Sequence, residues 1–325
     1  MQRRPFIRSS LVFALASTHL LAGAQQAWPS RPIKFVVPFA AGGGSDIVAR
    51  LLGNELSTTL GVPFIIENKP GMAASIGADA VAKSPADGYT ILFCTPGVQI
   101  TNPYLYAKLP YDAETAFAPV TLIAKIPNLL AVHPSLPINT VAELIAYGKA
   151  NPGKLSFAST GNGSSSHLAG ELLKSQTGID MVHVPYKGSA PAMVDLTAGR
   201  VQLTIDSMAA VYPHVQRGAL RAIGLSTLNR VADYPAIPAI AETIAGFEGS
   251  SVIYIAAPAG TPNDILQRLN TAFNQAMAKP EILARLKSLG MTPEGGTPQQ
   301  LLAVIATERV KWKRVIEVSG AKAEQ

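Results

Sequence analysis

The segment best suited to chemistry in this sequence is a glycine-rich loop, PFAAGGGSD, which runs from Pro38 to Asp46. Its consecutive glycines let the backbone approach a ligand closely. The apolar periodicity after Asp46 predicts a helix, whose start presents free N–H groups and the positive end of a dipole. Such a terminus binds anions. We therefore predict an anion site at this loop, with Ser45 or Asp46 as a cap and Asp46 ordering the loop.

A second loop has the same design and adds hydroxyl groups. The sequence STGNGSSS runs from Ser159 to Ser166, directly before His167 and a predicted helix. Asp206 ends a predicted apolar strand, so its side chain could reach the same region. In open α/β sheets, ligands lie outside the carboxyl ends of the strands, where both loops are predicted. If the two loops face each other, both helix starts point at one ligand.

Free energies indicate that such loops suffice without an arginine clamp. A micromolar dissociation constant requires about −8 kcal/mol. A hydrogen bond to a charged group contributes about 1.5–3 kcal/mol. About four to six donors from two loops would offset the cost of association, so a small carboxylate is a plausible ligand.

Other site chemistries find little support. Neither loop matches G-x-x-x-x-G-K-[ST], G-x-G-x-x-G or G-x-S-x-G, and neither H-x-x-x-H nor C-x-x-C occurs. We therefore predict no metal site and no cofactor. A secreted hydrolase that uses Ser164 or Ser165 with His167 stays open as an alternative. Neighbouring positions alone cannot establish a catalytic triad, because a triad is recognised by its geometry.

The elements around the loops predict an α/β fold. Strand-like runs at 33–37, 64–67 and 89–95 alternate with helix-like runs at 46–60 and 76–83. The alternation restarts after residue 133 and continues to Asp206, which indicates two similar units with mostly parallel, doubly wound sheets. Three amphipathic helices follow, in the ranges 263–278, 281–289 and 298–318.

Composition agrees with a globular protein. The 325 residues include 48% hydrophobic and 15% charged residues, with a formal net charge of +6. No dense basic run with interleaved aromatic residues occurs, so no nucleic-acid partner is expected. Cys94 is the single cysteine, which excludes an internal disulfide, and its apolar surroundings predict a buried strand position.

The N-terminus reads as an export signal. Arg3, Arg4 and Arg8 precede an apolar run from 11 to 21, and Ala22-Gly23-Ala24 fits a cleavage site. We predict residues 1–24 to be a signal peptide cleaved near Ala24, which lowers the formal net charge to about +3. The twin arginine also matches the start of a twin-arginine export signal, with the general secretion route as the alternative. The run is too short for a spanning helix, so we expect a periplasmic protein without a membrane anchor.

Several motifs resemble those of one family over nearly the whole predicted mature chain. They are WPSRPI (28–33), VVPF (36–39), GGGSDIVAR (42–50), ENKPG (67–71), DGYT (87–90), HLAGEL (167–172), VHVPYKG (182–188), APAGTP (257–262) and SGAK (319–322). The chain thus resembles the Bug, or TctC-like, solute-binding proteins of tripartite tricarboxylate transporters. This resemblance implies a non-enzymatic, two-lobed type II binding protein that closes like a Venus flytrap. It also implies one lobe from 25–125 plus 252–325, a second from 126–251, and two crossover segments between them.

The resemblance also implies ligand, partners and site. The ligand would be a dicarboxylate, tricarboxylate, amino acid or aromatic acid, the partners would be membrane permease subunits, and we expect a monomer. The implied site residues are Phe39, Ala41, Gly43, Gly44, Ser45 and Asp46 on one side, Thr160, Asn162, Ser164, Ser165 and His167 on the other, and Asp206 closing the cleft. Ala40-Ala41 and Ser164-Ser165 replace proline-containing pairs that are common in the family, so the pocket should differ in shape. A ligand-sensing subunit of a signalling receptor stays open as an alternative.

Overall fold

Two β-sheets organise the chain in the computed structural model, which describes residues 28–323. The strands of these residues follow in chain order: β1 (Ile33–Val37), β2 (Phe64–Asn68), β3 (Thr90–Cys94), β4 (Phe117–Ile126), β5 (Asn128–Val132), β6 (Leu155–Ser159), β7 (Met181–Pro185), β8 (Leu203–Ser207), β9 (Arg221–Leu225), β10 (Ser251–Pro258) and β11 (Thr292–Pro293). The first sheet has the order β11-β4-β10-β3-β1-β2, and the second has the order β7-β6-β8-β5-β9.

Helices cover both sheets. The α-helices are α1 (Gly44–Leu60), α2 (Ser75–Ala82), α3 (Asn102–Leu105), α4 (Val141–Ala150), α5 (Ser165–Thr177), α6 (Ser189–Thr197), α7 (Met208–Gln216), α8 (Asn263–Met277), α9 (Pro280–Ser288) and α10 (Pro298–Ser319). A 3₁₀ turn at Met72–Ala74 precedes α2, a π-helical turn at Gly97–Thr101 precedes α3, and a 3₁₀ turn lies at Ile240–Glu242.

Local sequence explains the helices beside the two glycine-rich loops. Helix α1 buries Val48, Leu52 and Leu56, which share one face at a spacing of four residues. It ends at Gly61, whose φ of 71° lies in the left-handed region that favours glycine. Helix α5 ends in the same way at Gly178, with a φ of 70°. Both helices therefore have a defined C-terminal end.

Strand pairing within the sheets is mixed. Strand β1 is parallel to β2 and β3, and β6 is parallel to β7 and β8, as predicted. In contrast, β10 is antiparallel to β3 and β4, and β5 is antiparallel to β8 and β9. The α/β class is confirmed, but the expectation of mostly parallel sheets is wrong. Two of the antiparallel pairs join the strands next to the passages between the sheets: β4 pairs with β10 in the first sheet, and β5 pairs with β9 in the second.

The predicted elements agree with the observed ones to within about two residues at most ends. Helices α3 and α7 and strands β4, β5, β9, β10 and β11 were not predicted as elements. Cys94 lies in β3 and is buried, as predicted, and burial raises the pKa of its thiol well above the usual value.

The chain passes between the two sheets at β4–β5 and between β9 and β10. Polar groups tie these passages together: the Asn128 backbone N–H donates to Ser226 Oγ at 2.8 Å, and Asn128 Nδ2 donates to the Gly249 carbonyl at 2.9 Å. Ser250 Oγ donates to the Ser226 carbonyl at 3.1 Å, and all three side chains are buried. We call residues 126–128 and 226–251 the hinge segments.

The predicted signal peptide lies outside the described residues, so its cleavage stays a prediction. Between residues 28 and 323, no helix combines the length and the apolar character needed to cross a bilayer.

Candidate binding site

The first glycine-rich loop leaves the start of α1 uncapped. Gly42 has a φ of 84°, which favours glycine, and Gly43 is the extended N-cap residue. No side chain accepts a hydrogen bond from the helix start, and the first intrahelical bond joins the Ile47 N–H to the Gly43 carbonyl at 3.0 Å. The N–H groups of Gly44, Ser45 and Asp46 therefore have no intrahelical acceptor. Such groups suit an anion.

The Asp46 side chain does not cap the helix and instead bonds to the loop. Its Oδ2 accepts from the Gly42 N–H at 2.8 Å and from Arg50 Nε at 2.9 Å, and its Oδ1 accepts from Asn68 Nδ2 at 3.0 Å. The side chain is buried. The hydrogen bond from Arg50 is the main cause that lowers the pKa of Asp46 to about 2, against the opposing effect of burial. A carboxylate bound in this way orders the loop.

The second loop is capped by its own serines. Ser164 Oγ accepts from the His167 N–H at 3.2 Å and donates to the Gly161 carbonyl at 2.7 Å. Ser166 Oγ accepts from the Thr160 N–H at 2.9 Å. These bonds fix the turn into α5, so that Ser164 and Ser165 stand at the helix start.

His167 lies beneath this loop and is buried. Its Nδ1 accepts from the Gly163 N–H at 3.0 Å, and its ring stacks on His183 with centroids 3.8 Å apart. Burial, followed by the nearby His183 and Lys174, lowers the pKa of His167 to about 4. Burial and Lys174 lower the pKa of His183 to about 4 as well. A neutral His167 therefore supports the loop from below.

Asp206 is also buried, at the end of β8. Its Oδ2 accepts from Ser189 Oγ at 2.7 Å, and its Oδ1 accepts from the Ser207 N–H at 2.7 Å. Burial raises the pKa of this carboxyl, and these two hydrogen bonds oppose the rise. Asp206 thus joins α6 to the end of β8.

Both loops open onto one cavity of about 360 Å³. It is lined by Phe39, Ser45, Ala73, Thr95, Pro96, Gly97, Thr101, Asn102, Gly163, Ser164, Ser165, Leu168, Gly249, Ser250, Ser251 and Trp312. Small-molecule sites typically have volumes of about 300–1,000 Å³. Since the first loop, the second loop with α5, and a hinge segment all contribute, the two helix starts share one space.

The structure brings four of the predicted site residues to this cavity: Phe39, Ser45, Ser164 and Ser165. Ala41, Gly43 and Gly44 are exposed next to the start of α1. Asn162 is exposed on the second loop, and Thr160 is half-buried. Asp46, His167 and Asp206 are buried and do not line the cavity. Asp46 and His167 accept hydrogen bonds from N–H groups of the two loops, whereas Asp206 contacts Ser189 and Ser207, which do not line the cavity either.

Sequence reasoning missed a third segment of the wall. Thr95, Pro96 and Gly97 follow β3 directly, so the rule that ligands lie at strand ends could have identified them. Ala73 has a φ of 45°, which is strained for a residue with a side chain. Its carbonyl accepts from Asn102 Nδ2 at 2.8 Å. No sequence signal marks this strained turn.

The electrostatic character of the cavity follows from its lining. None of the lining residues carries a charged side chain. Between residues 28 and 323, no group of three or more His, Cys, Asp or Glu residues is arranged to hold a metal ion. Anion binding in this space would depend on backbone N–H groups, hydroxyls and the two helix dipoles.

Comparison with known proteins gives the family. Residues 48–321 match the family described as "Tripartite tricarboxylate transporter family receptor". The chain belongs to this family, whose members are periplasmic solute-binding proteins. The resemblance seen in the sequence motifs is thereby confirmed, and the class of the protein is a receptor.

Solved structures agree with this assignment. The protein Rpa4515 of R. palustris, solved with adipate, is 40% identical, with a TM-score of 0.76 over 91% of this chain and 99% of that one. The periplasmic binding protein BugD is 34% identical, with a TM-score of 0.72 over 91% and 100%. MatC from Rhodopseudomonas palustris, solved with malate, is 31% identical, with a TM-score of 0.71 over 89% and 100%. The predicted two-lobed binding-protein fold is confirmed.

Proposed function

We propose that this protein captures a small carboxylate in the cavity between the two sheets and delivers it to the membrane subunits of a tripartite tricarboxylate transporter. The observation that carries the proposal is the shared cavity, onto which the starts of α1 and α5 open from opposite sheets. Relatives solved with adipate and with malate support a carboxylate as the ligand. The absence of a cation from the lining agrees with binding through N–H and hydroxyl donors.

The lobe division that we propose follows the sheets. One lobe comprises 25–125 plus 252–325, and the other comprises 126–251. All strands of the second sheet fall between Asn128 and Leu225, and the first sheet takes its strands from both sides of that range. The hinge segments at 126–128 and 226–251 would then bend, and a ligand would select the closed state.

We further propose that the protein acts as an exported monomer without turnover. The ring nitrogens of His167 contact groups other than the serine hydroxyls. Nδ1 accepts a hydrogen bond from the Gly163 N–H, and Nε2 lies 3.9 Å from Glu171 Oε1. Ser164 donates its hydroxyl to the Gly161 carbonyl. This geometry favours a structural role for both residues over the serine hydrolase alternative. The expected mature N-terminus follows Ala24.

The test combines two measurements on protein purified from the periplasm. Native mass spectrometry should detect a bound acid, because a closed cleft retains its ligand. After unfolding and refolding, calorimetry with adipate, malate, citrate and benzoate should give saturable heat and a raised Tm for at least one acid. The proposal is overturned if no acid is retained and none of the panel binds.

A further inference from the structure

The cavity has an apolar wall that the helix starts do not explain. Trp312 from α10 and Leu168 from α5 both line it. Only 4% of the surface of Trp312 and 2% of that of Leu168 is exposed. Phe39 and Pro96 add apolar surface to the same lining. Trp312 lies next to Lys311, which reaches a hinge segment by donating its Nζ to the Glu248 carbonyl at 2.7 Å. The cavity residues Gly249 to Ser251 follow directly, so the indole stands beside the hinge.

Hydrogen bonds within α10 fix the indole and occupy its donor. Trp312 Nε1 donates to Glu308 Oε2 at 2.7 Å, and Glu308 is buried. Lys311 Nζ donates to Glu308 Oε1 at 2.7 Å and lies 4.7 Å from the centroid of the indole ring. The carboxylate and the ammonium of this cluster are therefore paired with each other. What the indole offers a ligand is hydrocarbon surface in one fixed orientation.

Two polar side chains of the lining, those of Asn102 and Ser250, already donate hydrogen bonds within the protein. Asn102 Nδ2 donates to the Ala73 carbonyl and to Ser75 Oγ, and Ser250 Oγ donates to the Ser226 carbonyl. A hydroxyl or carboxylate of a ligand placed against Trp312 and Leu168 would receive no hydrogen bond from these two side chains, because the indole N–H is bonded to Glu308 and leucine has no donor. Burying a polar group in this way is unfavourable, whereas burying hydrocarbon there is favourable.

We propose that Trp312 and Leu168 form an apolar subsite that receives the uncharged hydrocarbon or aromatic body of the ligand. Trp312 is then a specificity-determining residue. The preferred ligands are carboxylates whose body carries no hydroxyl groups, and polyhydroxylated acids and citrate are discriminated against. This inference rests on the proposed function, because it assumes that a carboxylate occupies the cavity.

Two matched pairs of acids test the subsite by calorimetry. Adipate and galactarate share chain length and both carboxylates, but galactarate carries a hydroxyl on every inner carbon. Cyclohexanecarboxylate and quinate share a ring and one carboxylate, but quinate is hydroxylated. In at least one pair, the unhydroxylated acid should bind at least about tenfold more tightly than its hydroxylated partner and than citrate.

Substitution of Trp312 is the second test of the subsite. Trp312→Ala should weaken binding of the preferred acid about tenfold or more and reduce its advantage over the hydroxylated partner. Trp312→Phe retains an aromatic ring and should retain most of that advantage. Melting curves of both variants check that they fold.

Fluorescence keeps the test independent of the folding of these variants. Trp28 and Trp312 are the two tryptophans of the chain, and Trp28 packs against Tyr89 rather than lining the cavity. In a Trp28→Phe protein, the preferred acid should therefore change the emission of Trp312 saturably, with the dissociation constant found by calorimetry.

The outcomes separate this inference from the proposed function. If galactarate, quinate or citrate binds as tightly as the unhydroxylated acids, the apolar subsite is refuted and carboxylate capture stands. The subsite is refuted in the same way if an acid binds calorimetrically but leaves the emission of Trp312 unchanged. If none of these acids binds, the proposed function itself fails on this panel, and the inference fails with it.

Discussion

Leu105 and Gly163 lie next to each other beside the cavity, although Leu105 ends α3, which follows the first sheet's β3, and Gly163 belongs to the second loop. A Cβ atom at position 163 would lie 3.0 Å from Leu105 Cδ1. Gly163 also has a φ of 74°, in the region that favours glycine. The pair therefore marks a place where the two proposed lobes touch, and where added bulk would hold them apart.

Substituting Gly163 should hinder closure. We expect Gly163→Ala to weaken binding of the best acid of the panel about fivefold or more, because the methyl group contacts Leu105 and the backbone is strained. Calorimetry measures the change. A double-mutant cycle with Leu105→Ala separates the two causes. Strict additivity in this cycle would show that the contact has no part in closure and that backbone strain acts alone.

The amide at the start of α1 can be removed without removing the helix. Proline suits the first helical position, and Gly43 before it is extended with φ −77° and ψ 169°, which a following proline accepts. We expect Gly44→Pro to weaken carboxylate binding about tenfold or more, since a hydrogen bond to a charged group contributes about 1.5–3 kcal/mol.

The matched control is Gly44→Ala. It retains the N–H, and its Cβ would have no atom within 4 Å. Calorimetry should find its affinity within about twofold of the wild type. If Gly44→Pro and Gly44→Ala bind equally well, the amide at this position is not a donor to the ligand.

Sequence reasoning predicted the parts of this fold that local pattern determines. Alternating strands and helices, the two glycine-rich helix starts and the buried Cys94 each depend on residues that lie close together in sequence. The position of β10 between β3 and β4 could not be predicted from local sequence. It depends on which strands the chain pairs with after it returns from the second sheet.

The site was predicted unevenly for the same reason. The helix starts that line the cavity carry a glycine and serine signal, so Ser45, Ser164 and Ser165 were found. Trp312 was missed. It lies on the apolar face of an amphipathic helix, as core residues do, and only tertiary packing brings it to the cavity. Asp46 was predicted to order the first loop, and its hydrogen bond from the Gly42 N–H agrees with that. The family resemblance also placed Asp46 and His167 in the cleft, yet neither lines the cavity, and His167 accepts from the Gly163 N–H.

Asp46 should stabilise the folded state in a defined pH range. Its folded pKa, about 2, lies below the usual value of 3.8. Its contribution is therefore fully present above pH 4 and is lost as the pH falls from 4 to 2. We expect Asp46→Asn to lower the free energy of unfolding at pH 6 by about 1–2 kcal/mol, since Arg50 is half-exposed and screening reduces the effect.

Urea unfolding at pH 6 and at pH 2.5 measures this loss. The difference between wild type and Asp46→Asn should shrink at the lower pH. Asp87→Asn is the matched control, because Asp87 pairs with Arg31 at 2.8 Å on an exposed surface. That variant should change the free energy of unfolding by less than about 1 kcal/mol. An Asp46→Asn effect that is equal at both pH values would indicate a steric rather than an ionic cause.

The stacked pair His167 and His183 should make the fold sensitive to mild acid. Both have folded pKa values of about 4, below the usual 6.5. Between these pH values, the unfolded chain therefore binds more protons than the folded state. Stability is therefore fully present above pH 6.5 and falls as the pH decreases from 6.5 towards 4. Lys174 helps to lower the pKa of both rings, and Glu171 Oε1 lies 3.9 Å from His167 Nε2.

Urea unfolding between pH 7 and pH 4.5 tests this. His183→Gln retains a partner for Ser159 Oγ. We expect this variant to reduce the slope of unfolding free energy against pH by about 1.4 kcal/mol per pH unit, which corresponds to the uptake of about one proton fewer on unfolding. His133→Gln is the control, because His133 bonds to Ser135 outside this cluster and its loss should leave the slope unchanged. Should the wild-type slope survive in His183→Gln, the acid sensitivity would have to come from groups outside the stacked pair. A slope that is reduced in this variant and not in the control would assign the acid sensitivity to the stacked imidazoles beneath the second loop.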